Sequence, residues 1–328
     1  MPAESVLTLL RELLTAYGPC GQEDEVRDIC RRELEPVVDE LWVDAAGNLV
    51  GLIKGWSDDA VTTRVMAHMD ELSMIVKRVE SDGTLHLSPL GTMYPGNFGL
   101  GPVAVLGRHE TLCCQLTLGS EHTTSESTRI WETKPDQGDK ALDWTHVYVF
   151  TGRGEAELRR AGVDNGTRVC VDRSKRTMVE IGDYLGSYFM DDRAPIVILL
   201  EVARRMRDSG HRPAGDVYLV FTTNEEIGGI GGAYASRTLP DGITLAVEVG
   251  PTEKEYDTTV SGGPIVAYSD ALCVYDKSIA DRLMDLGEKL GLSPQAAVLG
   301  AFESDASHAK AAGVGPRAGL LCVPTLST

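Results

Sequence analysis

Apolar residues recur at helical spacing from the first turns of the chain. Val6, Leu9, Leu10, Leu13 and Leu14 share one face, which predicts an amphipathic helix ended by Pro19 and Gly21. Val26, Ile29, Cys30 and Leu34 form a second such stripe, in a stretch that begins at Glu23. Two short extended segments come next, at 40–43 and 48–53, joined by an Ala-Ala-Gly turn and closed by Gly55. Residues 62–67 are apolar apart from their start and read as a buried strand.

The pattern then changes. From about Ser73 to Val179 it consists of short runs (IVKRVE, TLHLSP, PVAVLG, CCQLTL, VYVFTG) broken by Gly, Pro and Asp. Closely spaced turn signals of this kind predict a small all-β unit, taken as 72–179. Its polar stretch at 119–140 reads as a long loop. From about Gly182 helices and strands alternate: helices at 194–207, 231–238, 276–290 and 304–312, strands at 216–222, 243–249 and 318–323. Such alternation implies parallel strands covered by helices. The expected fold class is α/β. Residues 1–71 and 180–328 form a mixed sheet with helices on both faces, interrupted by a small inserted β-barrel-like domain.

Composition narrows the classes. At 328 residues the chain has room for about two domains. Its 49 acidic against 31 basic residues give a net charge of −18, a field that repels phosphate backbones and argues against nucleic acid as a partner. Apolar runs such as 196–200 are too short to cross a bilayer, so no membrane association is expected. The opening MPAESVLTLLRELL carries acids and no basic leader, so no secretory signal is expected. Seven scattered cysteines without a Cys-x-x-Cys pair exclude a disulfide framework and a thiolate zinc site. Reduced thiols in the cytoplasm are the expectation.

Four local signals carry chemistry. Ala67-His68-Met69-Asp70-Glu71 follows a buried strand, and open α/β sheets place their sites at strand C-terminal ends. Taken alone, His68 reads more readily as a hydrogen-bonded structural histidine than as a ligand. Asn224-Glu225-Glu226-Ile227-Gly228 follows the apolar DVYLVFT; adjacent acids there are costly if buried unpaired, though elsewhere such a pair is a solvated loop. The GGIGG beyond misses the dinucleotide-binding spacing, and two carboxylates in front of it would repel a pyrophosphate. Met190-Asp191-Asp192-Arg193 opens a helix, where acids also serve as dipole partners. Glu248 ends an apolar strand, where an exposed edge residue is the plain alternative. Together they bring one imidazole and several carboxylates to the strand and loop ends of one α/β unit. That donor set suits Zn²⁺, Co²⁺ or Mn²⁺, and an extra carboxylate suits a general base.

In this order and at these separations, AHMDE, MDDR, NEEIGGIGG and VEVG resemble the glutamyl-aminopeptidase/endoglucanase-M-like metallopeptidases, the tetrahedral, self-compartmentalising aminopeptidases. The resemblance spans nearly the whole chain, β insertion included. It implies a dinuclear zinc exopeptidase-like fold and an aminopeptidase that acts on short peptides. It also implies two divalent ions per subunit, Zn²⁺ or Co²⁺, with Mn²⁺ as a further candidate. By the same resemblance Asp191 bridges the ions, His68 and Glu248 complete one, and Glu226 binds the other. Glu225 is the general base, Asp70 orients His68, and the peptide after Asp191 is cis. The inserted domain is implied to mediate dimerisation within larger homo-oligomers, up to dodecamers.

Two departures stand out. The family usually has Asp where this chain has Glu248. The histidine for the second metal should follow the last strand, yet the sequence stops at Thr328 without one; His308 lies on the preceding helix and is not taken as its substitute. The expectation is that the missing ligand lies just beyond Thr328. Two other functions stay open: a metal-dependent deacylase or amidase acting on a small acylated or dipeptide-like compound, and a catalytically silent assembly protein lacking the second metal.

Overall fold

The first apolar stripe forms helix α1 (Ala3–Thr15), with Leu13 and Leu14 fully buried, in a computed structural model that describes residues 3–136 and 138–327. The second forms α2 (Asp24–Leu34), which buries Val26, Cys30 and Leu34. Strands β1 (Glu40–Val43), β2 (Leu49–Ile53) and β3 (Thr62–His68) follow. After the insertion come α3 (Met190–Ser209), β4 (Val217–Thr222), α4 (Ile230–Thr238) and β5 (Gly242–Pro251). The chain continues with β6 (Ile265–Ser269), α5 (Lys277–Lys289), β7 (Gln295–Val298), α6 (Asp305–Ala311) and β8 (Arg317–Thr325). Backbone angles at Asp191 and Asp192 are non-helical, so regular α3 resumes at Arg193.

These strands form one sheet in the order β1-β2-β4-β3-β5-β8-β6-β7. The central β4, β3, β5 and β8 are mutually parallel, while β1–β2, β2–β4 and β6–β8 are antiparallel. Side chains alternate between the faces, as strand geometry requires. Leu49, Ala67, Leu219, Phe221 and Val247 pack with Leu13, Leu14, Ile196 and Leu200 of α1 and α3. On the other face Val50, Met66 and Val220 pack with Ala235 of α4, and Ala246 and Leu320 with Ala306 of α6. The expected mixed α/β sheet with helices on both faces is the one observed.

The chain divides into two compact units, residues 1–71 with 178–328, and residues 72–177. The second holds a closed six-stranded barrel of Ser73–Val79, Leu85–Leu90, Tyr148–Phe150, Thr111–Thr117, Gly101–Leu106 and Arg168–Val171. Its polar stretch is not wholly loop: Thr128–Trp131 is a short helix that buries Ile130. Helix Glu155–Ala161 also sits among the strands. Strands β6 and β7 have no counterpart in the sequence reading, and β7 buries a single residue, Ala297. None of the seven cysteines forms a disulfide. No helix among the described residues is long and apolar enough to cross a membrane. Thr328, where the sequence stops short of the anticipated histidine, lies outside the described residues.

Candidate metal centre

Parallel pairing of β3 with β4 puts His68 level with Thr222, so AHMDE and NEE emerge side by side at the carboxyl end of the sheet. His68 is buried. Its Nδ1 lies 3.0 Å from the backbone carbonyl of Asp70 and 3.7 Å from the Asp70 carboxylate. With the proton on Nδ1 toward that carbonyl, Nε2 faces the acids opposite and would offer its lone pair to a cation held among them. Those acids are Asp191, at 2.9 Å, and Glu248, at 3.6 Å. The backbone N–H of His68 donates to Asp192 Oδ2 at 2.9 Å, and the Asp191–Asp192 peptide is cis.

His68, Asp191, Asp192 and Glu248 each offer one ligand atom, all within 4.8 Å of one another. Three of the four anticipated ligands therefore meet in one group. Asp192 joins them unanticipated; the second acid of MDDR was its only trace in the sequence. Glu226 stands outside this group, but Asp191 is the charge that acts on it most strongly.

The Asp70 carboxylate turns to the neighbouring loop. It accepts the backbone N–H groups of Glu225 and Glu226 at 3.0 and 3.1 Å, and the thiol of Cys20 donates to it at 3.3 Å. Asn48, fully buried just before β2, holds the same loop. Its Oδ1 accepts Thr223 N at 3.0 Å and its Nδ2 donates to the Gly231 carbonyl at 3.0 Å. Beneath the site Arg193 and Glu71, both without solvent exposure, form an ion pair at 2.7 Å. Arg193 also donates to the carbonyls of Leu13 and Met69. This bond network joins the AHMDE and MDDR motifs. His308 lies 3.0 Å from Glu303 and belongs to no ligand group among the described residues.

The electrostatics are those of a cation site. Burial, reinforced by neighbouring carboxylates, raises Asp192, Glu225 and Glu226 well above the usual carboxylate range. Burial likewise pushes Glu248 up to about 7 and Asp305 to about 6. For His68 burial disfavours the charged ring, but Glu248, Asp192 and the bond to Asp191 outweigh it and raise its pKa well above 6.5. Glu226 Oε1 and Asp192 Oδ1 are buried without a hydrogen-bond partner. Unpaired acceptors in a crowd of buried acids are costly, and divalent cations satisfy both the charge and the open valences. The residues present therefore fit a metal centre with imidazole and carboxylate ligands.

A family model for the M42 glutamyl aminopeptidases matches residues 47–328. The lysyl aminopeptidase of Pyrococcus furiosus is 25% identical over 244 residues, 74% of this chain and 65% of its own length. Among solved structures, aminopeptidase APDkam598 from the archaeon Desulfurococcus kamchatkensis is 25% identical with a TM-score of 0.85, over 98% of this chain and 87% of that one. The Pyrococcus horikoshii TET1 peptidase, which can assemble into a tetrahedron or a large octahedral shell, has a TM-score of 0.82 at 21% identity, over 97% and 91%.

Proposed function

The chain belongs to the M42 glutamyl aminopeptidase family and is a metal-dependent aminopeptidase; within that class we propose that it removes N-terminal residues from short peptides, with Glu225 as general base. The observation that carries this reading is the ligand group of His68, Asp191, Asp192 and Glu248 beside a loop that presents Glu225.

Two divalent ions, Zn²⁺ or Co²⁺ with Mn²⁺ as a further candidate, would be held by His68, Asp191 and Glu248 on one side and by Asp191 and Glu226 on the other; when bound they supply Lewis acidity to the scissile carbonyl and acidify the attacking water. Glu225 takes the proton of that water and passes it to the leaving amine. Asp70 acts twice, through its carbonyl on His68 Nδ1 and through its carboxylate on the Glu225–Glu226 backbone. The second function keeps the base in place through the reaction.

The inserted barrel unit mediates dimerisation, and dimers build larger homo-oligomers up to dodecamers. The assembly of the structurally similar Pyrococcus horikoshii peptidase into a tetrahedron or an octahedral shell supports the large homo-oligomer. The working compartment is the cytoplasm, consistent with seven unbridged cysteines.

A panel of aminoacyl-anilides against N-acyl amino acids tests the substrate class. Cleavage of the anilides alone is expected; cleavage of the acyl compounds alone would point to a deacylase. Metal analysis of the folded protein is expected to find about two ions per chain, and a metal-free, inactive protein would mark a silent assembly subunit.

A further inference from the structure

The loop that carries Glu225 and Glu226 is held at its middle by Asp70. Its two ends are held by a residue far away in sequence. Asp305 opens α6 and is 1% exposed. One of its oxygens, Oδ2, accepts the hydroxyl of Thr222, the last residue of β4. The other, Oδ1, accepts the backbone N–H of Gly232, in the first turn of α4, at 3.2 Å. We propose that Asp305 is a positioning residue that clamps both ends of this loop and so sets where Glu225 and Glu226 stand; the proposal rests on the roles given to those two residues above.

The glycines of GGIGG show how close the clamp lies. A Cβ on Gly232 would stand 2.4 Å from Asp305 Oδ1, and one on Gly229 would stand 2.4 Å from the Cβ of His308. Asp305 and His308 are three residues apart, hence on one face of α6, as Gly229 and Gly232 are three residues apart opposite them. Each glycine removes the side chain that would keep the two elements apart. This accounts for a motif that has no phosphate to bind. The clamp is itself anchored, because Ser304 caps α6 through Ser307 N at 3.2 Å and its hydroxyl lies 2.8 Å from that of Tyr275. Asp305 reaches no ligand group among the described residues. With both oxygens occupied by the loop ends, it acts through the backbone.

Asp305→Asn keeps the shape but leaves only one acceptor oxygen for two donors. Gly232→Ala drives a methyl group into the same contact. Ala309→Gly weakens α6 but removes neither clamp bond, and serves as the control for stability alone. Three quantities are read in each variant. These are kcat and KM on an aminoacyl-anilide, Zn²⁺ affinity by titration of metal-stripped protein, and hydrogen exchange at the amides of 223–232.

The clamp predicts that Asp305→Asn and Gly232→Ala lower kcat about 100-fold with KM within about threefold. It predicts Zn²⁺ affinity weakened by roughly 10- to 100-fold and faster exchange confined to the loop. Ala309→Gly, despite its own loss of thermal midpoint, should leave all three near wild type. The proposal is overturned if Asp305→Asn matches Ala309→Gly, losing midpoint with metal affinity and loop exchange unchanged. Thr222→Val, which deletes one hydroxyl from the clamp, replaces Asp305→Asn if that variant does not fold. A wild type that cleaves no aminoacyl substrate would refute the aminopeptidase reading instead, and the metal titration and exchange would still decide the clamp.

Discussion

The carboxylate of Asp70 accepts the backbone N–H groups of Glu225 and Glu226, so the acid of the first motif fixes the backbone of the second. Three buried side chains, Asp70, Asn48 and Asp305, thus converge on one loop. Asp70→Ala takes the acceptor from two half-buried N–H groups and frees the base to wander. We expect kcat to fall by about 100-fold, the cost of a roughly 1 Å misplacement, with a smaller change in KM. Unchanged kcat would remove Asp70 from the machinery.

Glu225→Gln preserves size and hydrogen-bonding reach but cannot take a proton. Turnover should drop by about 100- to 10,000-fold, while metal content, measured by elemental analysis, stays at the wild-type value. Undiminished turnover would exclude Glu225 as the base.

Arg193→Met takes the guanidinium away from the buried Glu71 carboxylate. Removing one partner of a buried pair costs about 3–5 kcal/mol, which urea denaturation would read directly. Arg193→Met combined with Glu71→Gln should be less destabilised than Arg193→Met alone, because the buried charge that faced the guanidinium is gone as well. Equal losses would show that the pair contributes packing rather than charge balance.

Chelation should lower the thermal midpoint and abolish activity together, because the buried acids around His68 lose their counter-charge. Added Zn²⁺ or Co²⁺ should restore both. Ligand at 100 times its dissociation constant stabilises by about 2.7 kcal/mol per site. A midpoint indifferent to chelator and metal would contradict a metal centre at these residues.

Asp276 caps α5, accepting Ser278 N at 3.1 Å and Ser278 Oγ at 2.7 Å. The Ser278 bonds hold its carboxyl below 3.8. A native pKa below the unfolded one means the unfolded chain takes up the proton first as pH falls. The charged cap therefore contributes fully above 3.8 and is lost as pH drops through the lowered value. Asp276→Ala should cost about 1 kcal/mol at neutral pH and less at about pH 3. Asp276→Asn, which caps without a charge, should show no such dependence in paired urea titrations.

Much of the fold was legible in the sequence because its cues are local. The stripe of Leu9, Leu10, Leu13 and Leu14 needs only helical spacing, and 62–67 needs only an apolar run. Strands β6 and β7 were missed because Ile265–Ser269 and Gln295–Val298 are short and β7 turns one buried side chain inward. Such segments become strands by pairing with neighbours, β7 on β6 and β6 on β8. The helix at 128–131 hid in a polar stretch, because the single buried residue of that helix, Ile130, shows no period.

The candidate site divides in the same way. His68, the Glu225–Glu226 pair, Asp191 and Glu248 stood out because each lies at the end of an apolar strand or the start of a helix, visible within a few residues. Asp305 did not, since an acid opening a short helix looks like an ordinary dipole partner. Nor did the bond between Arg193 and Glu71, or the turn of the Asp70 carboxylate toward the loop. Sequence alone determined which residue types reach the carboxyl edge of the sheet, because strand polarity and hydrophobic period are properties of adjacent positions. Tertiary structure decided which of them face one another, because Asp305 meets Thr222 and Gly232, and Asp192 meets His68, only when β3, β4 and β5 lie side by side under α6. Contacts between distant segments are set by sheet register and helix docking, and neither is encoded at any single position.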